Sequence, residues 1–234
     1  MASSPLPPPK AILFDIGGVC VLSPFQAILD YEREHFIPTG YINSAIQRGP
    51  LDTGAWQMLE RGEAVLGDEW FAAFRAQLED KGAWRAFWEH GGGRKNETAP
   101  ASIQTPIPPP TIDAKVLFWR MMRMARTPDP HIFPALRRLR ASGRFVLGAL
   151  SNTVAFPEGV VDDTGALFSN ELEHHPDSDN TNNDLPTAPA TPPTDIRAYF
   201  DVFISSAHVG VRKPDARAYE MAVRELDRKL LEHA

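Results

Sequence analysis

The first clear pattern along the chain is a run of four apolar residues, Ala11–Phe14, that leads without interruption into Asp15. A continuous run of that length, rather than an alternating one, suits a strand covered on both faces of a parallel sheet. Gly17 and Gly18 follow, and they permit positive φ or a close approach of backbone to a ligand. Apolar character returns over Val19–Leu22, read as renewed extended chain up to Ser23 and Pro24. The stretch AILFDIGGVCVL is therefore predicted to deliver one carboxylate, that of Asp15, to the end of a buried strand and to turn tightly behind it.

From Phe25 to about Gly82 the period lengthens to that of helices. Phe71, Phe74 and Leu78 recur at i, i+3 and i+7 with Arg75, Gln77 and Glu79 between them, so one stripe is buried and the rest is wet. Trp56, Leu59, Leu66 and Trp70 extend the same apolar inventory as core residues, and Gly82 is read as the stop of that helix. A small helical subdomain is implied. Farther on, Val116–Arg126 reads as a Met-rich helical segment. Pro134–Ala141 is another helix, with Phe133, Leu136 and Leu139 on one face and Gly143 as its stop. Phe145–Leu150 is a second continuous apolar strand, ending abruptly in Ser151, Asn152 and Thr153. A third extended segment, Tyr199–Ser205, leads through Val209 and Gly210 to Arg212, Lys213 and Pro214. Asp215 can cap a last helix whose buried stripe is read as Tyr219, Ala222, Val223, Leu226 and Leu230. Strands separated by helices argue an α/β fold, a Rossmann-like parallel sheet of three strands with right-handed crossovers and an inserted α-helical cap.

Composition narrows the function classes. The chain has 234 residues, 43% of them hydrophobic, which is enough for a substantial core. A formal net charge of −6 lacks the basic excess of a nucleic-acid binder, so a phosphate ligand would need a locally positive pocket. The single cysteine, Cys20, lies inside an apolar run, where it reads as a small buried hydrophobe. A lone cysteine can form no internal disulfide, which favours a reducing, cytoplasmic location. The segment MASSPLPPPK lacks the apolar core of a secretory signal, and no apolar run approaches the length of a membrane span. Residues 1–10 read as a flexible leader. Two stretches, the Gly/Pro-rich insert at 91–110 and the low-complexity loop at 174–194, hold too little apolar surface to offset their ordering entropy. Within the second, His174, His175, Asp177 and Asp179 suggest metal ligands, but neighbouring side chains on such a segment lack fixed geometry, and a solvated loop is the expectation.

Three chemical groups thus fall at or just beyond the carboxyl ends of predicted strands: Asp15, Ser151 with Asn152, and Lys213. In an open parallel sheet that edge is where ligands bind. Their order along the chain carries more than any one of them does alone.

FDIGGV, LSNT and GVRKPDARAYE, in that order and with a helical insertion between the first two, resemble three motifs of the haloacid dehalogenase superfamily of phosphohydrolases and dehalogenases. The nearest resemblance is to the subgroup containing the N-terminal phosphatase domain of bifunctional epoxide hydrolases. It implies a core at 11–24 and 116–234 and a helical cap at 25–115 that closes over the substrate. It implies a Mg²⁺-dependent phosphatase acting on a small phosphorylated metabolite. Asp15 would attack phosphorus and form an aspartyl-phosphate that water hydrolyses. Ser151 would bond a phosphoryl oxygen, with further contacts at Gly18 and Asn152. Lys213 would hold Asp15 ionised and offset charge growing on the phosphoryl group. Mg²⁺ would bridge Asp15, the Gly17 carbonyl and the phosphate.

Two departures from the family pattern shape the expectation. The second position after the nucleophile, an aspartate acting as general acid and base in many of the phosphatases, is Gly17 here. The family's fourth motif, an acidic pair on a strand beside that of Asp15, should follow the last helix, whereas the sequence stops at Ala234, as in a C-terminally truncated member. The expectations that follow are weak Mg²⁺ binding and an unpaired edge on the Asp15 strand open to self-association. The alternatives are a truncated, inactive relative or interaction module, and a hydrolase of the 2-haloacid dehalogenase type.

Overall fold

In the computed structural model of the chain, residues 8–91, 108–173 and 193–232 are described. The leader up to residue 7 and most of the two low-complexity inserts, including His174, His175, Asp177 and Asp179, lie outside the described residues. No helix among the described residues is long and apolar enough to cross a membrane.

The chain is an α/β fold with a Rossmann-like parallel sheet. Strands β1 (Ala11–Phe14), β2 (Val146–Ser151) and β3 (Val202–Ser205) stand in the order β1-β2-β3, all parallel, with Phe14 beside Ala149 and Ser151 beside Ser205. Every residue of β2 is buried, which is why the Val146–Ser151 sequence does not alternate. Its side chains nonetheless divide between two layers. Leu147 and Ala149 face a cluster containing Phe133, Leu136, Tyr199 and Phe200, while Val146 and Leu150 face Ala218, Ala222 and Leu226. The first layer is built around helix α7 (Ile132–Ser142) and the second on helix α9 (Ala216–Glu232). β1 is the edge strand, and no strand among the described residues pairs its outer side, as expected; it departs from the expectation of a strand covered on both faces, being partly exposed along its length, with Leu13 38% exposed.

The helical layer comprises α1 (Pro24–Glu34), α2 (Tyr41–Gln47), α3 (Ala55–Glu60), α4 (Asp68–Leu78), α5 (Lys81–Glu89) and α6 (Ala114–Met124). Its core joins Tyr31, Tyr41, Trp56, Trp70, Phe74 and Phe118. Helix α6, most of which the sequence reading assigns to the sheet unit, contributes Leu117, Phe118, Trp119 and Met121 to this same core. Ser23 caps α1 by accepting from Phe25 N, and Pro24 supplies the preset φ of a first helical position. Glu32 is fully buried, and its carboxylate accepts from Gly40 N (2.6 Å) and Ile42 N (2.7 Å), so a side chain of α1 caps the start of α2.

Three local expectations are corrected. Val19–Leu22 is a turn joined by a single bridge residue, Val21, rather than extended chain, because Ile16 O collects the amides of Val19, Cys20 and Val21. Gly82 does not stop a helix. Asp80 accepts from Ala83 N and starts α5, placing Gly82 in its first turn. On α9 the buried residues are Ala218, Ala222 and Leu226, while Tyr219 is 45% and Val223 56% exposed. The helix lies close on the sheet, where a Cβ on Gly148 would come within 2.8 Å of Leu226 Cδ2, so alanines rather than a tyrosine fill its inner face.

Candidate active site

The carboxyl ends of the three strands converge on one edge. β1 hands over to Asp15, β2 ends in Ser151, and β3 ends in Ser205, followed by helix α8 (Ser206–Val209) and the loop that carries Arg212 and Lys213. Lys213 Nζ lies 2.6 Å from Asp15 Oδ2, so residues 198 positions apart form an ion pair. The Asp15 side chain is 46% exposed and that of Lys213 only 17%. The carboxylate is presented to solvent while the ammonium that opposes it is built into the protein.

Asp15 sits on a tightly wound turn. Its Oδ1 accepts from Ile16 N at 2.7 Å, and its carbonyl accepts from the Cys20 thiol at 3.3 Å. Gly18 has φ +77, the left-handed region that favours glycine, while a Cβ there would meet Ser23 at 3.4 Å, a close but ordinary contact. Gly17 needs no such freedom: a Cβ would meet only Pro24 Cδ at 3.9 Å. The turn is anchored behind by Leu22 N donating to Thr127 O and Asp129 N donating to Cys20 O. Cys20 is fully buried, and burial, reinforced by the charges of Asp15 and Asp129, pushes its thiol up to about 12. It is a packing residue here, not a thiolate.

Ser151 is 4% exposed, and its Oγ donates to Asn152 O at 3.3 Å. The Asn152 side chain grips the Lys213 backbone on both sides. Its Oδ1 accepts from Lys213 N (2.8 Å), and its Nδ2 donates to Lys213 O (3.1 Å). Its amide group is therefore spent on holding Lys213, a placement role that the spacing of the sequence does not reveal. The next residue ties β2 to β3: Thr153 N donates to Ser206 Oγ at 2.9 Å, and Thr153 Oγ1 lies 2.5 Å from Ser205 Oγ, itself 2.6 Å from His208 Nδ1.

The structure thus brings Asp15 and Lys213 into contact, joins Asn152 to Lys213, and places Ser151 at the same sheet edge. Two groups beside this site escape the motif reading. Glu60, the last residue of α3, accepts from Arg212 Nε at 2.6 Å, with side chains only 9% and 19% exposed. Burial raises the Glu60 carboxyl above the usual range, opposed by Arg212, by a hydrogen bond from Trp56 and by the Lys213 charge. No pattern in the α3 sequence marks Glu60, but Ser205 ends the predicted segment Tyr199–Ser205 and carries the same signal as Ser151.

The donor set tests the expected metal. Asp15 and the Gly17 carbonyl are two oxygen donors, and among the described residues no group of three or more His, Cys, Asp or Glu could hold an ion. Such a pair does not fit a resident Mg²⁺, which takes six ligands in a near-ideal octahedron. It suits at most an ion that arrives with the phosphate oxygens of a substrate. A hollow of about 870 Å³ lies within the helical layer, between Arg48, Trp70, Gln77 and Asp80, and none of Asp15, Ser151, Asn152 or Lys213 lines it. No protein-family model matches the chain, and a search of curated proteins finds no match.

Proposed function

We propose that the chain is a phosphohydrolase of the haloacid dehalogenase type, acting on a small phosphorylated metabolite by phosphoryl transfer to Asp15. The observation that supports this most directly is the Asp15–Lys213 ion pair at the carboxyl edge of a parallel sheet, with the carboxylate the more exposed partner. In the proposed reaction an Asp15 carboxylate oxygen forms a bond to phosphorus while the bond from phosphorus to the leaving oxygen breaks. Water then attacks the aspartyl-phosphate and releases inorganic phosphate. Lys213 turns from Asp15 to the phosphoryl oxygens as charge develops there, and Ser151 donates to one of them. Asp15 and the Gly17 carbonyl would be the residues to meet a Mg²⁺ brought in by the substrate, and such an ion would offset part of the phosphate charge. Gly17 offers no proton to the departing oxygen, so the reaction favours substrates whose leaving group departs as a stable anion.

The test is hydrolysis of p-nitrophenyl phosphate by the purified chain with and without Mg²⁺, beside Asp15→Asn. Mg²⁺-dependent turnover that disappears in the variant supports the reading. Absence of turnover above background overturns it.

A second reading is favoured by the outer edge of β1, which no strand among the described residues pairs, and by its exposed Leu13: the fold serves self-association through that edge. Sedimentation velocity across a concentration series separates it from a monomeric enzyme.

A further inference from the structure

The helical layer touches the sheet unit at a seam beside the reacting pair. Gly62, just past the C-terminus of α3, has φ +70, and a Cβ there would stand 2.2 Å from Ala207 O. Backbone therefore meets backbone at this point, with no side chain between. Two residues earlier, Glu60 meets Arg212, the residue immediately before Lys213. Both ends of the contact lie on one stretch of the sheet unit, from α8 to the Lys213 loop.

We infer that Glu60 and Arg212 are positioning residues, which make the placement of Lys213 against Asp15 depend on the seating of the helical layer. The inference rests on the reading of Asp15 and Lys213 as the reacting pair. From the sheet side Lys213 is fixed at its backbone, by the two hydrogen bonds to Asn152. From the other side the loop is fixed by the Arg212 side chain, whose partner belongs to α3. Glu60 is held in turn from within the helical core, because Trp56, one turn earlier on α3, hydrogen-bonds it and packs against Trp70, Phe74 and Phe118. The charges alternate in sign along the row Asp15, Lys213, Glu60, Arg212. Removing the Glu60 charge leaves the Arg212 guanidinium with a weaker partner and takes away one attraction on Lys213. The cation that faces Asp15 then loses a support supplied by a different layer of the protein.

The test is competitive acylation of lysines with trace acetic anhydride in the full chain, read by mass spectrometry as the labelling of Lys213 relative to Lys115 and Lys229. Those two lysines lie on α6 and α9 and serve as internal references. In the wild type Lys213 is screened by burial and by its ion pair. In Glu60→Gln the Lys213 ratio should rise about three- to tenfold, in the lower part of the range for residues coupled through one charge network, with Lys115 and Lys229 unchanged. Arg212→Lys, which keeps the charge, should fall between the two. Trp56→Phe, which removes the hydrogen bond to Glu60 together with part of the indole packed on Trp70, Phe74 and Phe118, should move Lys213 in the same direction, and Arg212→Lys, which leaves that core intact, guards against a misfolded variant. A general loosening would raise all three lysines together and would overturn the inference, as would a Lys213 ratio unchanged in Glu60→Gln. The readout does not need turnover. If the wild type hydrolyses no phosphate while Glu60→Gln still uncovers Lys213, the phosphatase reading fails and the positioning stands.

Discussion

Gly17→Asp puts a carboxyl where the proposed reaction lacks a proton donor, and the structure leaves room for it. Gly17 does not occupy the left-handed region, so a side chain costs no backbone strain, and the nearest atom to its Cβ would be Pro24 Cδ at 3.9 Å, an ordinary contact. The new group stands two residues from Asp15, where a neighbouring carboxylate raises its pKa toward that of a useful acid. General acid catalysis contributes about 10²–10⁴ in rate. At about 1.4 kcal/mol per tenfold, that is roughly 3–5 kcal/mol of barrier. The gain should depend on the leaving group: large for alkyl phosphates, whose alkoxides need a proton, and small for p-nitrophenyl phosphate, whose anion leaves unaided. The assay is kcat/KM over a series of phosphate esters of increasing leaving-group pKa, for wild type, Gly17→Asp and the non-titrating Gly17→Asn. A Gly17→Asp protein that folds like the wild type yet shows the same dependence on leaving group refutes the assignment of Asp15 as nucleophile or of position 17 as the acid site.

The Cys20 thiol, pushed up to about 12 by burial, should not react with Ellman's reagent at pH 8 in the native protein and should react promptly in urea; rapid native labelling contradicts its packing role. Glu32→Gln replaces one of two accepting oxygens with a donor facing Gly40 N or Ile42 N, at a cost of about 1–3 kcal/mol in urea unfolding. Burial raises the Glu32 carboxyl in the folded state, so the fold binds that proton more tightly than the unfolded chain. Stability should therefore decline as pH rises from the ordinary carboxylate range through the raised value, and the slope should lessen in Glu32→Gln. Gly62→Ala should lose more stability than Gly143→Ala: both pay about 1–2 kcal/mol for a left-handed alanine, but only at Gly62 does the new methyl collide with a backbone carbonyl. Equal losses by thermal denaturation would mean that the seam at Ala207 yields freely.

What the sequence makes legible depends on how local the physics is. The bounds of β1 coincide with the apolar run Ala11–Phe14, because a strand ending in Asp15 and two glycines has its stop written next to it. The parallel sheet follows from strands separated by helices, whereas the meeting of Asp15 with Lys213 is implied by the motif resemblance alone, since Lys213 lies on a loop beyond α8 and not at a strand end. The α9 stripe is legible in period but misplaced in phase. Helical spacing cannot say that the sheet comes close enough at Gly148 to admit only Ala218 and Ala222, leaving Tyr219 and Val223 outside. The start of α5 is missed because Asp80 acts through a hydrogen bond to Ala83 N, which interrupts an apolar pattern that otherwise runs on. Glu60 is illegible for a stronger reason. Its partner lies 152 residues away, and a glutamate at the end of a short helix has the same local signature whether it meets water or Arg212.

The unequal exposure of Asp15 and Lys213 bears on how the pair could react. A carboxylate bonded at 2.6 Å to an ammonium is a poor nucleophile until the ammonium shifts, so the strength of the ion pair sets part of the barrier. With Asp15 nearly half exposed, water already satisfies much of its charge and screens the pair, so the pair is weaker than one with both partners buried. Moving Lys213 from Asp15 to an incoming phosphoryl group then costs little, and the doubly charged phosphate returns more than the carboxylate gave. The same exchange would be costly if Asp15 were as buried as Glu60, because a stranded carboxylate in a dry site exacts several kcal/mol. The buried ion pair, Glu60–Arg212, thus suits a fixed support, and the half-exposed one, Asp15–Lys213, suits the contact that the proposed reaction would break and remake.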